Sequence, residues 1–354
     1  MTSPRGATSL DDSSRRFRVV VAVLTFRRPH ELMDLLRHLD QHLNVLNHAV
    51  PLSYTTDVVV VDNDPKGSAE QPVRALGMNR VRYVHEPRPG IAAARNRALD
   101  EADDVDLLAF IDDDELPGDR WLELLLETWH TTRAAAVPGA VIASYPATLD
   151  PWLAAGRFFD RCNLPTGTRV EEAAAGNLLL DMRQIRRLGV RFNEAFGLSG
   201  GEDSLFSRQL ILAGGQIVWC NEAVIIDRVP MSRMTRTWVL HRSMSHGNTQ
   251  RLIAHYLAPH PIARARARSV SITGGAIRVC AGSVRCVFGA LLGRQSHHAR
   301  GLRTVYRGIG MLAAAVGYVY EEYNRDGDHR RGLKAFAPVP LAMRERCVPE
   351  GRAA

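Results

Sequence analysis

Four acids in a row, Asp112-Asp113-Asp114-Glu115, follow directly on the apolar run Leu107-Leu108-Ala109-Phe110-Ile111 and are closed by Pro117. An unbroken apolar run suits a strand buried on both faces of a sheet. The acids then fall at its carboxyl end, the edge at which open α/β sheets bind ligands. Adjacent carboxylates repel one another, and a cation relieves that repulsion. Oxygen donors favour a hard ion such as Mg²⁺ or Mn²⁺. Such an ion would bridge a diphosphate and neutralise charge on a leaving group. The plainer reading is a solvated acidic turn, and an Asp-x-Asp triplet alone does not decide between the two.

Other groups stand in similar positions. Asp62 ends the apolar run Val58–Val61 and could hydrogen-bond a nucleobase or ribose, although Asp62-Asn63-Asp64-Pro65 also makes a good Asx turn. Glu202-Asp203 follows Gly200-Gly201. Either acid could cap a helix, whose positive end favours carboxylates, or take a proton from an acceptor hydroxyl. The glycines would let a substrate approach the backbone closely. Arg88, Arg95 and Arg97 could contact phosphates, with Arg95 the strongest of the three in context. Trp121 is either core or an acceptor platform; His241 and His246 are weaker candidates.

The elements that must hold these residues alternate. Val19–Leu24 reads as a buried strand ended by Thr25-Phe26-Arg27-Arg28-Pro29, and Leu32, Leu35, Leu36 and Leu39 show helical spacing. Val58–Val61 is a second buried strand, so strand, helix and strand imply a βαβ unit and a parallel sheet. Val81–Val84 is a short strand. Helices are expected over 91–101, about 118–131 and 204–213, and strands over 136–144, 176–180 and 216–226. Thr25, Asp62 and the Asp112 cluster would then line one sheet edge and one cleft.

The chain has 354 residues, enough for one large domain or two smaller ones. Its net charge of +7 is unevenly placed: from Arg228 to Tyr320 there are 14 arginines and no Asp, Glu or Lys. That field suits an anionic partner or surface: the stretch with Arg278 and Arg285 seven apart and Val279, Val284, Val287, Leu291 and Leu292 apolar reads either as a basic amphipathic helix on an anionic membrane or as part of a helical bundle packed on the preceding domain. Nucleic acid is ranked out because no binding motif accompanies the charge. The 5 cysteines are scattered, which fits a reducing compartment and argues against disulfides or a zinc site. Residues 1–17 lack an apolar signal segment and read as a disordered lead-in. No run reaches the ~20 apolar residues of a membrane span; the nearest, 308–320, is too short.

Five ordered motifs together resemble family-2 glycosyltransferases, inverting enzymes of the GT-A fold that use nucleotide sugars. They are Val23-Leu24-Thr25-Phe26-Arg27-Arg28-Pro29, Val59-Val60-Val61-Asp62-Asn63, Gly90-Ile91-Ala92-Ala93-Ala94-Arg95-Asn96, Phe110-Ile111-Asp112-Asp113-Asp114 with Pro117 and Trp121, and Gly201-Glu202-Asp203. The resemblance implies a Rossmann-like, mostly parallel α/β sheet flanked by helices over residues 18–250. A basic helical extension over 251–325 and a charged tail over 326–354 would follow. It implies a nucleotide-sugar site at Thr25, Arg27, Asp62, Arg95, Asp112 and Asp113, with Asp62 on the base. A Mg²⁺ or Mn²⁺ ion would sit on Asp114 and the catalytic base would be Asp203. Trp121, Gly201 and Glu202 would stand on the acceptor side. The acceptor would be a glycan or lipid-linked glycan, and the setting cytoplasmic, peripheral to the inner face of the plasma membrane. The family's late histidine is absent from Val224-Ile225-Ile226-Asp227-Arg228, where Asp227 could substitute. Arg236-Thr237-Trp238 only loosely echoes the motif of processive members, so one sugar is added at a time. Nucleotidyl transfer and a non-catalytic scaffold are the alternatives; the first normally needs a glycine-rich loop after the first strand, which Thr25–Pro29 lacks.

Overall fold

The computed structural model describes residues 16–49 and 54–321. The expected charged tail and nearly all of the expected lead-in lie outside them. The expected strands and helices form in sequence: β1 (Phe17–Thr25), α1 (Pro29–Ala49), β2 (Tyr54–Asp62), α2 (Glu70–Ala75), β3 (Val81–His85), α3 (Ile91–Glu101) and β4 (Leu107–Asp112). There follow β5 (Glu115–Pro117), α4 (Trp121–Thr132), β6 (Ala136–Ser144), α5 (Pro151–Gly156), β7 (Leu178–Asp181), α6 (Met182–Leu188), α7 (Glu202–Leu212) and β8 (Cys220–Arg228). Three helices complete the described chain: α8 (Arg236–Leu257), α9 (Pro261–Leu291) and α10 (Gln295–Ala315).

One sheet of eight strands runs in the order β3-β2-β1-β4-β7-β6-β8-β5. The first four are parallel; β7 is antiparallel to both β4 and β6, and β5 to β8. Valine-rich strands with both faces covered explain why the pattern was continuous rather than alternating. Val19, Val21 and Val23 of β1 pack beneath α1 and α4, whose Leu32, Leu36, Trp121 and Leu125 are fully buried. Val20, Ala22 and Leu24 face α3, α6 and α7 on the other side. The register sets the functional edge: Thr25 lies opposite Asp62, and Leu24 opposite Asp112.

Several boundaries differ from the sequence expectation, among them the strand expected over 176–180, which starts at Leu178 because Ala175–Asn177 form a 3₁₀ turn. The acids do not end in a free turn, because Glu115-Leu116-Pro117 pairs back on Ile225–Asp227 as β5. Pro117, placed at the end of that edge strand, donates nothing to the ladder and is tolerated there. The last strand starts at Cys220, since Ile217 and Val218 form isolated bridges to Ala136 and Arg169 instead. Helix α7 begins two residues early and takes in Glu202 and Asp203.

Helix α8 runs through residue 250 without a break. Glycines let α9 and α10 meet backbone to backbone: a Cβ on Gly308 would lie 2.7 Å from the Gly275 carbonyl, and one on Gly282 2.8 Å from that of Gly301. Phe196, Leu205, Leu252, Ile253 and Ala314 join α7, α8 and α10, while Trp152 and Leu153 of α5 pack near Val239 and Ala299.

Candidate active site

Thr25 ends β1 buried, and its hydroxyl donates to Asp113 Oδ2 at 2.8 Å. Arg28, just before α1, donates 2.8 Å bonds to Asp113 Oδ1 and Asp114 Oδ2. Arg233 approaches Asp114 at 3.6 Å. Asp112 directs its backbone N–H to Glu115 Oε2 at 3.0 Å, and a Cβ on Gly176 would fall 2.9 Å from Asp112 Oδ2 and 3.0 Å from Glu115. Glycine at 176 therefore leaves room for two carboxylates to sit side by side. Burial lifts both carboxyls above the usual range; Asp114 adds to the rise in each, and Arg95 and Arg28 oppose it at Asp112. Burial also pushes Asp113 up to about 6, against the pull of Arg28.

Opposite stands the start of α7. Gly200 and Gly201 have φ of 77° and 85°, the left-handed region that glycine enters without strain. The close neighbour of Gly201 is α8, not open space for substrate: a Cβ there would lie 2.0 Å from Thr249 Cγ2. Glu202 is buried and ion-paired to the buried Arg95 guanidinium. Burial raises its carboxyl to about 7; Arg95 opposes the shift and Asp203 adds to it. Asp203 is half-buried, accepts a 2.7 Å bond from Ser204 N, and is close enough to raise Asp112 by its charge.

Four expected contacts take another form. Arg95 faces Glu202 and the Phe192 ring, 5.6 Å away, rather than an open phosphate site. Asp62 is fully buried with both oxygens engaged, Oδ1 by Asp64 N and Oδ2 by Ala69 N and the Tyr83 hydroxyl, so the Asx-turn role is the one realised. Arg27 pairs with Asp64 at 3.3 Å and lies over Phe26. Trp121 is core; its indole N–H donates to Asn177 Oδ1, which leaves it no face for an acceptor. The sequence reading missed Arg28, although it lies three residues after Thr25 at the same edge. It also missed Glu115, whose role depends on β5. Asp227 lies opposite Glu115 in that ladder and is held by Arg161 at 2.8 Å.

The donor set fits a hard divalent ion, though among the described residues no three His, Cys, Asp or Glu side chains are gathered to hold one. Mg²⁺ commonly takes one or two carboxylates and completes its shell with substrate phosphates and water. Asp112 and Asp114 would suffice for that, with Asp114 giving up part of its contact with Arg28 and Arg233. Each raised group binds its proton more readily folded than unfolded. Its contribution to stability is therefore present at low pH and lost as pH rises from about 4 towards the folded values, near 6 for Asp113. A divalent ion held there would act where that loss is complete. Saturating Mn²⁺ is expected to raise Tm by roughly 3–8 °C at pH 8 and by under about 2 °C at pH 5.5. Scanning fluorimetry with and without the ion checks this, and buried histidines cancel from the difference. Equal shifts at both pH values would mean the carboxyls do not compete with protons for metal.

An open, mostly parallel sheet with an acidic strand end faced by a second acidic helix start is an α/β arrangement of the GT-A type. The model of the glycosyl transferase family 2 matches residues 21–188. The succinoglycan biosynthesis protein ExoM of Rhizobium meliloti (strain 1021) is 38% identical over 238 residues, 66% of this chain and 74% of that protein. The chain belongs to glycosyl transferase family 2 and is a glycosyltransferase. In fold it is similar to the mannosyltransferase PcManGT from Pyrobaculum calidifontis, solved with GDP-Man and Mn²⁺. That likeness has a TM-score of 0.53 at 18% identity and covers 86% of this chain and 88% of that one. It is also similar to GalNAc-T7 solved with UDP, GalNAc and Mn²⁺, with a TM-score of 0.50 at 13% identity over 70% of this chain and 51% of that one.

Proposed function

We propose that this glycosyltransferase moves a single sugar, with inversion, from a nucleotide-sugar donor to a hydroxyl of a glycan or lipid-linked glycan. The likeness to ExoM supports a step in the assembly of a polysaccharide. One observation carries the mechanism. Of the two acids that open α7, Glu202 is sealed against Arg95, and Asp203 alone is part-exposed beside Asp112. Asp203 takes the proton from the acceptor hydroxyl as that oxygen bonds to the anomeric carbon, and the bond from that carbon to the diphosphate breaks. Arg28 holds Asp113 and Asp114 in place at the donor edge. A divalent ion on Asp114 and Asp112 would supply positive charge to the departing diphosphate. The free thiols of Cys162, Cys220, Cys280 and Cys286 suit a cytoplasmic setting.

The test is release of nucleoside diphosphate from UDP-, GDP- and dTDP-sugars in the presence of candidate glycan acceptors, with Mn²⁺ or Mg²⁺ and with chelator. Release from one donor is expected, abolished by chelator and lowered at least ~100-fold in Asp114→Ala. Release that survives both chelator and Asp114→Ala would overturn the metal-dependent reading.

A further inference from the structure

Helix α9 carries an apolar face that nothing in the described chain covers. Its inner side is small: Ser271, Gly275, Gly282 and Gly289 are buried. On its outer side Ile277, Val284, Val287, Phe288 and Leu291 are all 49–80% exposed. At 100° per residue these fall within one arc of about a third of a turn, opposite the glycine seam, and extend along ~20 Å of helix axis. Soluble monomers rarely leave such a continuous apolar strip in water. By length and composition alone α9 could also cross a membrane, which the sequence reading had not noticed because glycines and arginines interrupt its apolar residues.

The charges around the strip are of one sign. Arg266, in line with the strip, and Arg294, just past its end, are exposed, and Arg285 at its flank is half-buried; Arg268 and Arg278, also exposed, fall towards the glycine-seam side. The sequence supplies no acid anywhere from Arg228 to Tyr320 to offset them. Three occupants can be compared on chemistry. A second copy placed face to face would bring two such arginine sets together with no acid between them. Nucleic acid would match the arginines but not the aliphatic strip. An anionic bilayer matches both, taking the apolar side chains below the headgroups and pairing the arginines with lipid phosphates. Spanning is disfavoured because Arg278 and Arg285 would lie within the hydrocarbon.

We infer that the outer face of α9 docks the enzyme on the surface of an anionic lipid bilayer, with α9 in the plane of the interface. Helix α8, which packs against α7 and α10, ties this face to the catalytic edge through Gly201 and Thr249. The docked enzyme would keep its site beside a surface on which a lipid-linked acceptor can diffuse. The docking needs no catalysis, so it stands or falls apart from the sugar-transfer reading.

The experiment is flotation of the full chain with vesicles of phosphatidylcholine alone or with 30% phosphatidylglycerol, at low and at moderate salt. Binding is expected to the anionic vesicles only and to weaken with salt. The double variant Val284→Glu/Leu291→Glu should lose binding altogether. The variant Arg266→Gln/Arg294→Gln should bind roughly 25-fold more weakly, about 5-fold per arginine. Both pairs are exposed, so circular dichroism and Tm should match the parent. Absence of anionic-vesicle binding by the parent would overturn the inference. So would unchanged binding of the glutamate variant. A concentration-dependent dimer that the glutamate variant dissociates, without vesicle binding, would assign the face to a second copy instead.

Discussion

Replacing Asp203 by asparagine is expected to lower kcat by ~10²–10⁴-fold, the usual contribution of a positioned general base, with donor Kd changed less than about threefold. Asparagine keeps the size of the side chain and the oxygen that accepts from Ser204 N, so that bond in the first turn of α7 is retained. It cannot take a proton at the pH of the reaction. Donor affinity by calorimetry, read beside single-turnover transfer, separates a lost base from a lost donor site. Glu202→Gln is the informative partner. That group is buried and bound to Arg95, so its loss should reduce stability and loosen the loop at Gly201 rather than remove proton transfer. Normal turnover in Asp203→Asn would remove Asp203 from the mechanism. Glu202 would become the base only if Glu202→Gln then abolished transfer without unfolding.

The edge that carries the candidate site was legible because it rests on strand ends. Buried strands announce themselves as valine runs, and where the run stops a polar residue must stand at the sheet's edge, so Thr25, Asp62 and Asp112 could be placed together without coordinates. Their partners were less legible. Asp62 closes its own turn and Arg95 reaches Glu202 across 107 residues, and neither pairing follows from spacing. Strand β5 is only three residues long and owes its existence to Ile225–Asp227, so the pairing that holds Glu115 was not legible. Trp121 could have faced either way; the deciding partner is Asn177, which also donates to the carbonyls of Ala140 and Ala223 and so knits α4 to β6 and β8. The apolar and basic residues of α9 were legible as an amphipathic helix; what spacing did not show is that its glycines let it sit flush on α10 and so leave the larger side chains outward.

Arg95→Met is expected to destabilise the protein by ~3–5 kcal/mol at pH 8, the cost of leaving a buried carboxylate without its partner. Arg95 and Glu202 are each about 4% exposed, so solvent gives little relief. Arg95 is also the leading counter-charge for Asp112, and its loss leaves Asp112, Asp203 and Glu202 to repel one another. The pH dependence follows from the sign of the shift. Glu202 titrates near 7 in the folded protein and higher still once Arg95 is gone, whereas unfolded it titrates near 4.5. Protonation therefore favours the folded state of the variant, and the deficit should shrink as pH falls from 8 towards 5. Denaturant titrations at both values measure it. Replacing the pair together, Arg95→Met/Glu202→Leu, removes both buried charges and should recover more than half of the loss at pH 8. A variant as stable as the parent at pH 8 would mean that Glu202 is folded in its neutral form, and Arg95 would then be a packing residue for Phe192 rather than the counter-ion of the site.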